Sequence, residues 1–301
     1  MDALRIEHLT KSFGKTKVLD DVSLNVPRGS LFGLIGENGA GKTTTMKLVL
    51  GLLKADSGQI MVVGEPVHFG QTKTNRLVGY LPDVPQFYSY MRAGEYLRLC
   101  GQIAGLPGKQ IAKRGAELLE LVGLSHVNKK IGAFSRGMKQ RLGVAQALVN
   151  QPQLLICDEP TSALDPVGRK AVLDLLSGLR GTTTVIFSTH VLSDVERICD
   201  RAAVLHKGQI KLEGTLAELK ARHGPTGLTI EFANLDDTSH FCAMIAPELI
   251  EQHSQTEVSL RTAAPQFELW VLRLLSDCNI VPIRFELESP SIENLFLEAV
   301  A

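Results

Sequence analysis

Short strand-like runs alternate with helical patterns between residues 4 and 213 of the chain. The run Leu154–Cys157 is uniformly apolar, which is typical of a strand buried on both faces of a parallel sheet. Such alternation predicts an α/β domain whose mostly parallel sheet is covered by helices. The strand-like runs are Leu4–Leu9, Val18–Val26, Leu31–Ile35, Gln59–Val63, Leu154–Cys157, Thr183–Ser188, Ala202–His206 and Gln209–Glu213.

The pattern changes between about Pro82 and Asn150, where apolar residues recur at the spacing of an α-helix. Glycine and proline residues separate the helical segments from one another. We interpret this stretch as a helical subdomain, over about residues 82–150, inserted into the α/β domain. The predicted helices are Ala93–Ala104, Gln110–Val122 and Arg136–Val149.

Glycine and proline cluster at residues 223–227, which predicts a linker. It would join a large domain, residues 1–222, to a small α+β domain, residues 228–301. The predicted strands of the small domain are Leu228–Phe232, Glu257–Leu260 and Ile280–Leu287. Its predicted helices are Phe241–Ile250, Pro265–Leu275 and Ser291–Ala299.

The charge balance excludes nothing by itself, but it argues against a nucleic-acid binder. The 301 residues carry 32 basic and 32 acidic side chains, and no basic stripe is visible, although a folded basic patch is compatible with a neutral total. The five cysteines are odd in number and lack metal-ligand spacing, so they predict neither a disulfide framework nor a zinc site. Reduced thiols in a cytoplasmic protein are the expectation.

Membrane insertion is not expected from this chain. Residues 1–8 carry charges of both signs and do not form a secretory signal. No window approaches the roughly 20 apolar residues needed to cross a bilayer. Any membrane role would therefore require a partner.

Residues 36–43 follow the P-loop pattern G-x-x-x-x-G-K-T. Glycines let backbone N–H groups turn towards phosphate oxygens. Lys42 would supply a cation to the terminal phosphates, and Thr43 would offer its hydroxyl to Mg²⁺. The apolar run Leu31–Ile35 before the loop and the helical pattern from Lys42 to Leu50 after it are the context that such a loop requires. The alternative is a chance glycine-rich turn.

A second candidate site element is the acid pair Asp158-Glu159, which follows the apolar run Leu154–Cys157. Open α/β sheets bind ligands at the carboxyl ends of their strands. One acid could hold Mg²⁺ while the next polarises an attacking water. An exposed acidic turn is the alternative.

His190 follows another β-rich run, residues 183–189. A histidine in this position is compatible with a structural role. The strand could also bring His190 beside a γ-phosphate, and this functional role is the interpretation we prefer.

The segment Ser135–Arg141 begins a helical run before the acidic strand. Ser135 is placed as an N-cap, and a helix N-terminus binds anions. Taken alone, a plain capped helix would explain it.

In their order along the chain, these motifs resemble the ABC transporter ATPases over about residues 4–217. The segment Ser135–Arg141 is similar to the family's signature motif, commonly L-S-G-G-Q. It keeps Ser135 and Gly137, the positions that touch a γ-phosphate in the family. Three positions depart from the pattern: Phe134, Arg136 and Met138.

The resemblance implies an α/β P-loop NTPase (ABC ATPase) fold, ATP and Mg²⁺ as cofactors, and ATP hydrolysis with Glu159 as the catalytic base and His190 as the switch histidine. Two such subunits, expected to be identical, would dimerise head to tail, the P-loop of one facing the signature motif of the other. The partner would be a polytopic transmembrane permease subunit, which places the chain at the inner face of the cell membrane. The implied nucleotide-binding residues are Phe13, Gly36, Asn38, Gly39, Ala40, Gly41, Lys42, Thr43, Thr44, Ser135, Gly137 and Asp165.

Phe13 matches the aromatic that stacks on adenine in the family, and a core phenylalanine is the alternative. Asp83 stands where the family usually has a glutamine that senses Mg²⁺ and the attacking water, and Gln86 is the alternative for that role. Thr43, Asp158 and Asp83 are the implied metal ligands. By resemblance, the aromatic-rich segment after Asp83, residues 85–90, would dock onto the membrane subunit.

The end of the chain, residues 289–298, resembles ATPases of ABC-2-type exporters, including those for drugs and antibiotics, and residues 136–139 of the signature fit the same subgroup. An ABC-2-type exporter subunit is therefore the predicted function. Three alternatives stay open: an importer ATPase whose C-terminal domain binds a regulatory ligand, a soluble ABC ATPase acting on ribosomes or DNA repair complexes, and a non-transport binding module.

Overall fold

The computed structural model describes residues 2–71, 73–162, 164–221, 227–261, 266–288 and 292–300. Two compact units are present, Met1–Leu216 and Ala217–Ala299. Of the predicted linker, residues 223–226 lie outside the described residues.

The elements up to residue 221 are β1 (Asp2–Phe13), β2 (Thr16–Pro27), β3 (Leu31–Ile35), α1 (Lys42–Val49), β4 (Ser57–Val62), β5 (Glu65–Pro66), β6 (Val78–Leu81), α2 (Ala93–Ile103), α3 (Gly108–Leu121), α4 (Arg136–Ala147), β7 (Leu154–Asp158), α5 (Pro166–Ser177), β8 (Thr184–Thr189), α6 (Leu192–Ile198), β9 (Arg201–His206), β10 (Gln209–Thr215) and α7 (Leu216–Ala221). This order confirms the predicted α/β fold with a helical insertion, which α2, α3 and α4 form.

The strands of the first unit form two sheets. An antiparallel sheet has the order β2-β1-β4-β5, and a six-stranded sheet has the order β10-β9-β3-β8-β7-β6. In the larger sheet all neighbours are parallel except β9 and β10. Strands β3, β7 and β8 are buried along their whole length, and for β7 the uniformly apolar run Leu154–Cys157 predicted this burial. Because β3, β8 and β7 are adjacent and parallel, their carboxyl ends meet at one edge of the sheet.

Most of α7 belongs to the second unit. The elements that follow it there are β11 (Gly227–Glu231), α8 (Leu235–Met244), β12 (Ile250–His253), β13 (Glu257–Arg261), α9 (Phe267–Asp277), β14 (Arg284–Glu288) and α10 (Ile292–Val300). Its antiparallel sheet has the order β12-β13-β11-β14. Residues such as Ile230, Phe241, Val258 and Val271 form a separate hydrophobic core.

Two predicted elements of this unit were wrong in extent. The helix predicted over Phe241–Ile250 lies earlier, because the Asn234 side chain accepts a hydrogen bond from the Asp237 N–H and so starts the helix there. Strand β14 begins only at Arg284, since Pro282 lacks the N–H that a paired strand would use.

Within the described ranges, no helix is both long enough and apolar enough to cross a membrane.

Candidate functional site

The P-loop turns between strand β3 and helix α1, and close contacts require glycine at two of its positions, Gly36 and Gly41. A Cβ added at Gly36 would lie 2.5 Å from the carbonyl oxygen of Leu205. Gly41 has φ of 111° and leads directly into the helix that begins at Lys42. A side chain at either position would force the loop to move. The loop therefore directs the N-terminus of α1 into the site, as an anion-binding turn requires.

Lys42 is almost fully buried and is surrounded by oxygen atoms. Its ammonium donates hydrogen bonds to the carbonyl oxygens of Gly36, at 2.6 Å, and Glu37, at 3.1 Å. It also lies 3.2 Å from Oε1 of Glu159. The cation is thus fixed at the mouth of the loop, where a terminal phosphate would be met.

Asp158 sits at the end of strand β7 and uses both carboxylate oxygens. Oδ2 accepts a hydrogen bond from the Thr43 hydroxyl at 2.8 Å, and Oδ1 accepts one from the Ser188 hydroxyl at 2.7 Å. The donor set is made of hard oxygens, which fits Mg²⁺.

Glu159 has a backbone φ of 47°, in the left-handed region that non-glycine residues seldom adopt. Its N–H donates to the hydroxyl and carbonyl oxygens of Ser188, at 3.0 and 3.2 Å. Its carboxylate lies between two cationic or potentially cationic groups, because Nδ1 of His190 is 3.0 Å from Oε2 and Lys42 faces Oε1. The structure therefore brings together the acid pair, the P-loop lysine and the histidine.

The acid pair and Lys42 line a cleft of about 480 Å³, whereas His190 contacts Glu159 but does not line the cleft. Its lining residues are Phe13, Val18, Glu37, Asn38, Gly39, Gly41, Lys42, Thr43, Thr44, Asp83, Asp158 and Glu159. Sequence reasoning did not single out Val18 or Glu37. Gly36 and Ala40 shape the loop without lining the cleft.

Phe13 is 49% exposed at this cleft, so the alternative of a core phenylalanine is wrong. The Lys11 ammonium lies 5.2 Å from the centre of the Phe13 ring. An exposed ring at the mouth of a phosphate-binding cleft can stack on a planar base.

Asp83 lines the cleft and accepts a hydrogen bond from the Ser162 hydroxyl. Gln86 is exposed and does not line the cleft. The geometry therefore favours Asp83 over Gln86 as the residue of this loop that meets the nucleotide. Nearby, burial raises the pKa of Tyr80 to about 12, with added repulsion from Asp158, Cys157 and Asp83.

Ser135, Gly137 and Asp165 do not line the cleft. The Ser135 hydroxyl caps helix α4 by accepting the Met138 N–H at 3.3 Å, as predicted. A Cβ added at Gly137 would stand 3.7 Å from the Cα of Gly168, and Asp165 immediately precedes helix α5. These residues form a second group, at the starts of helices α4 and α5.

Comparison with known proteins decides the family. The family described as "ABC transporter" matches residues 19–162. The chain is 39% identical to the uncharacterized ABC transporter ATP-binding protein YxlF of Bacillus subtilis over 306 residues, covering 99% of both proteins. The chain belongs to the ABC transporter ATP-binding proteins. These are P-loop ATPases that bind and hydrolyse ATP, and they work as dimers with membrane permease partners.

Two further relatives of this ABC ATPase carry functional names. The chain is 41% identical to the bacitracin transport ATP-binding protein BcrA of Bacillus licheniformis over 223 residues, covering 73% of this chain and 72% of BcrA. It is 34% identical to the linearmycin resistance ATP-binding protein LnrL of Bacillus subtilis over 303 residues, covering 98% and 97%. A solved ATP-binding subunit of an ABC transporter superposes with a TM-score of 0.66 at 33% identity, covering 73% of this chain and 93% of that one.

The ABC ATPase also contains a buried network that sequence reasoning missed. Asp194, 2% exposed, accepts hydrogen bonds from the Thr161 hydroxyl and from Nε of Arg169, both at 2.7 Å. It ties the turn after Glu159 to helices α5 and α6. The surrounding helix, Leu192–Ile198, mixes apolar, polar and charged residues, so its sequence did not indicate that Asp194 is buried.

Proposed function

We propose that this ABC ATPase drives export of an antibiotic-like compound through a separate membrane subunit, as an ABC-2-type exporter. The observation that carries the proposal is the alignment with LnrL, which spans 98% of the chain and so includes the second unit. The similarity to BcrA, which covers 73% of the chain, supports an antibiotic as the class of compound transported. In this proposal residues 223–227 are a linker, and residues 228–301 are an accessory domain.

The side chains of the cleft suggest how hydrolysis proceeds. Lys42 binds the terminal phosphates, and the glycine-rich turn supplies backbone N–H donors. Glu159 accepts a proton from the attacking water, and His190 holds its carboxylate in place through the 3.0 Å contact. Most of the rate enhancement then comes from positioning and charge stabilisation.

Thr43 and Asp158, with Asp83 at the edge of the cleft, are the residues that would hold Mg²⁺. Within the described part of the chain, no group of three or more histidine, cysteine or acidic residues forms a metal cluster. Mg²⁺ commonly takes one or two carboxylates and completes its shell with phosphate oxygens and water. When bound, it would neutralise charge on the transferred phosphoryl group.

A head-to-tail pair of chains would complete each site. Ser135, Gly137 and Asp165 are grouped together away from the cleft of their own chain, which is the arrangement expected if they act on the nucleotide of a second copy. ATP binding would then favour the closed pair over the open one, and this difference supplies the conformational work.

The permease contact would involve the segment after Asp83. Tyr88 and Tyr90 are 53% and 66% exposed there, and aromatic side chains are enriched at protein interfaces. Through this contact the ABC ATPase would lie on the cytoplasmic face of the membrane.

The exporter proposal is tested in the cell that encodes the chain. A deletion strain should become more sensitive to bacitracin or linearmycin, and its permease-containing membranes should regain efflux when the wild-type chain is restored. The Glu159→Gln variant is the matched control, because it keeps the protein but should not turn over ATP. Unchanged sensitivity together with loss of uptake of a nutrient would instead support an importer.

A further inference from the structure

Ser188 lies at the centre of the catalytic edge of the sheet. It is on strand β8, which is hydrogen-bonded to β3 on one side and to β7 on the other. In register, it stands opposite Asp158 on β7 and Leu34 on β3. Its side chain is completely buried, so its hydroxyl can interact only with protein groups or with the contents of the site.

The Ser188 hydroxyl is hydrogen-bonded to both residues of the acid pair. It accepts the N–H of Glu159 at 3.0 Å and donates its single proton to Oδ1 of Asp158 at 2.7 Å. The backbone N–H of Glu159 can only donate, so the Ser188 hydroxyl accepts from it and directs its own proton at Asp158. One hydroxyl thus links the main chain of one acid to the side chain of the other.

The link has a consequence for each acid. Asp158 is held from both sides, by Ser188 at Oδ1 and by Thr43 at Oδ2, so its remaining lone pairs have a fixed direction. Glu159 keeps a left-handed backbone, φ 47°, that persists only where surrounding contacts enforce it. The Ser188 hydroxyl is one of those contacts.

We propose that Ser188 is a positioning residue for ATP hydrolysis, which holds Asp158 for the metal and Glu159 for the attacking water. The proposal rests on the roles proposed above for these two acids. Groups that hydrogen-bond to metal-binding side chains commonly affect metal affinity or activity by about 10- to 100-fold when removed.

The same strand offers a matched control for a purely structural hydroxyl. Thr184 is 3% exposed, and its hydroxyl accepts the N–H of Gly29 at 2.9 Å. It lies at the opposite end of β8 from the acid pair. Removing this hydroxyl therefore tests the cost of losing a buried hydrogen bond without touching Asp158 or Glu159.

The experiment compares Ser188→Ala, Ser188→Cys and Thr184→Val with the wild-type full chain. Affinity for a non-hydrolysable ATP analogue is measured in Mg²⁺ and in EDTA, and ATP turnover is measured separately. In EDTA, Ser188→Ala should bind the analogue as tightly as the wild-type chain does. The increase in affinity when Mg²⁺ is added should be smaller by about tenfold or more, and kcat should fall by about 10- to 100-fold. Thr184→Val should lower the melting temperature without changing either quantity.

The outcomes separate this proposal from the one it rests on. If Mg²⁺ increases the affinity of Ser188→Ala as much as that of the wild-type chain, and kcat is unchanged, Ser188 is not a positioning residue. The proposed roles of Asp158 and Glu159 would be unaffected by that result. A wild-type chain that gains no affinity from Mg²⁺ would contradict the metal role of Asp158, and with it that of Ser188. If the alanine variant does not fold, Ser188→Cys decides, because the thiol fills the space but donates a weak hydrogen bond.

Discussion

The ammonium of Lys42 lies 3.2 Å from Oε1 of Glu159, and both side chains are largely buried, at 6% and 14% exposure. The cation proposed to grip the phosphates therefore also faces the carboxylate proposed to activate water. At this depth the attraction is stronger than on the surface, since less water screens it. Phosphate oxygens entering the loop would compete for Lys42, and the Glu159 carboxylate would be released towards the water it activates.

Replacing Glu159 with glutamine should leave ATP binding intact and abolish turnover. The amide keeps the size of the side chain but cannot accept a proton from water, and a positioned base contributes roughly 10²- to 10⁴-fold. Steady-state hydrolysis and size-exclusion chromatography with ATP would show loss of turnover and a trapped, nucleotide-bound dimer.

Glu37 supplies the control for that substitution, because it lines the same cleft. Glu37→Gln removes a neighbouring negative charge but should retain most turnover. Wild-type hydrolysis by the Glu159 variant would remove this residue from the role of base.

Lys42→Ala should weaken ATP binding by removing the buried cation at the loop. Hydrogen bonds to charged groups contribute about 1.5–3 kcal/mol, which corresponds to about a 10- to 150-fold increase in Kd. The measurement is equilibrium binding of ATP by calorimetry. Lys47→Ala is the control, because Lys47 is exposed on the same helix and its removal should leave the affinity for ATP unchanged. Equal affinities of the two variants would contradict the phosphate role of Lys42.

The sequence predicted those parts of the molecule that depend only on residues close together along the chain. The P-loop pattern, the apolar strand before it and the acids at the end of β7 each lie in one short segment, so their placement could be foreseen. The role of Ser188 could not, because it depends on which strand lies beside β7 and on the register of that pairing. The same holds for Asp194, whose partners Thr161 and Arg169 lie on other elements. In the second unit, the start of α8 was missed because one cap, at Asn234, outweighed the apolar periodicity.

Phe13→Ala should lower affinity for ATP by removing an exposed aromatic face from the cleft. Aromatic stacking contributes about 0.5–1.5 kcal/mol, so about a twofold to tenfold increase in Kd is expected. Phe13→Trp should preserve binding, as it retains a planar ring. Phe69, 59% exposed and outside the lining of the cleft, provides the control Phe69→Ala. If Phe13→Ala binds ATP as tightly as Phe69→Ala does, Phe13 does not contribute to adenine binding.

The choice between Asp83 and Gln86 can be tested by a pair of alanine variants. Asp83 lines the cleft and is bonded to Ser162, whereas Gln86 is exposed outside it. Asp83→Ala should therefore raise the Mg²⁺ concentration needed for half-maximal turnover, and Gln86→Ala should not. A larger effect at Gln86 would reverse the assignment.

The head-to-tail pairing can be tested with two variants that each inactivate a different part of the composite site. Lys42→Ala disables the P-loop of its own chain, while Gly137→Asp would place a negative charge at the partner's nucleotide. The second change should be tolerated by the fold, because a Cβ at Gly137 meets only the Cα of Gly168, at 3.7 Å. In a mixed dimer, one composite site combines the intact P-loop of the Gly137→Asp chain with the intact signature segment of the Lys42→Ala chain. Mixing two inactive proteins should therefore restore ATP turnover. Native mass spectrometry would verify that mixed dimers form, and mixed dimers without turnover would show that Gly137 does not serve the opposite cleft.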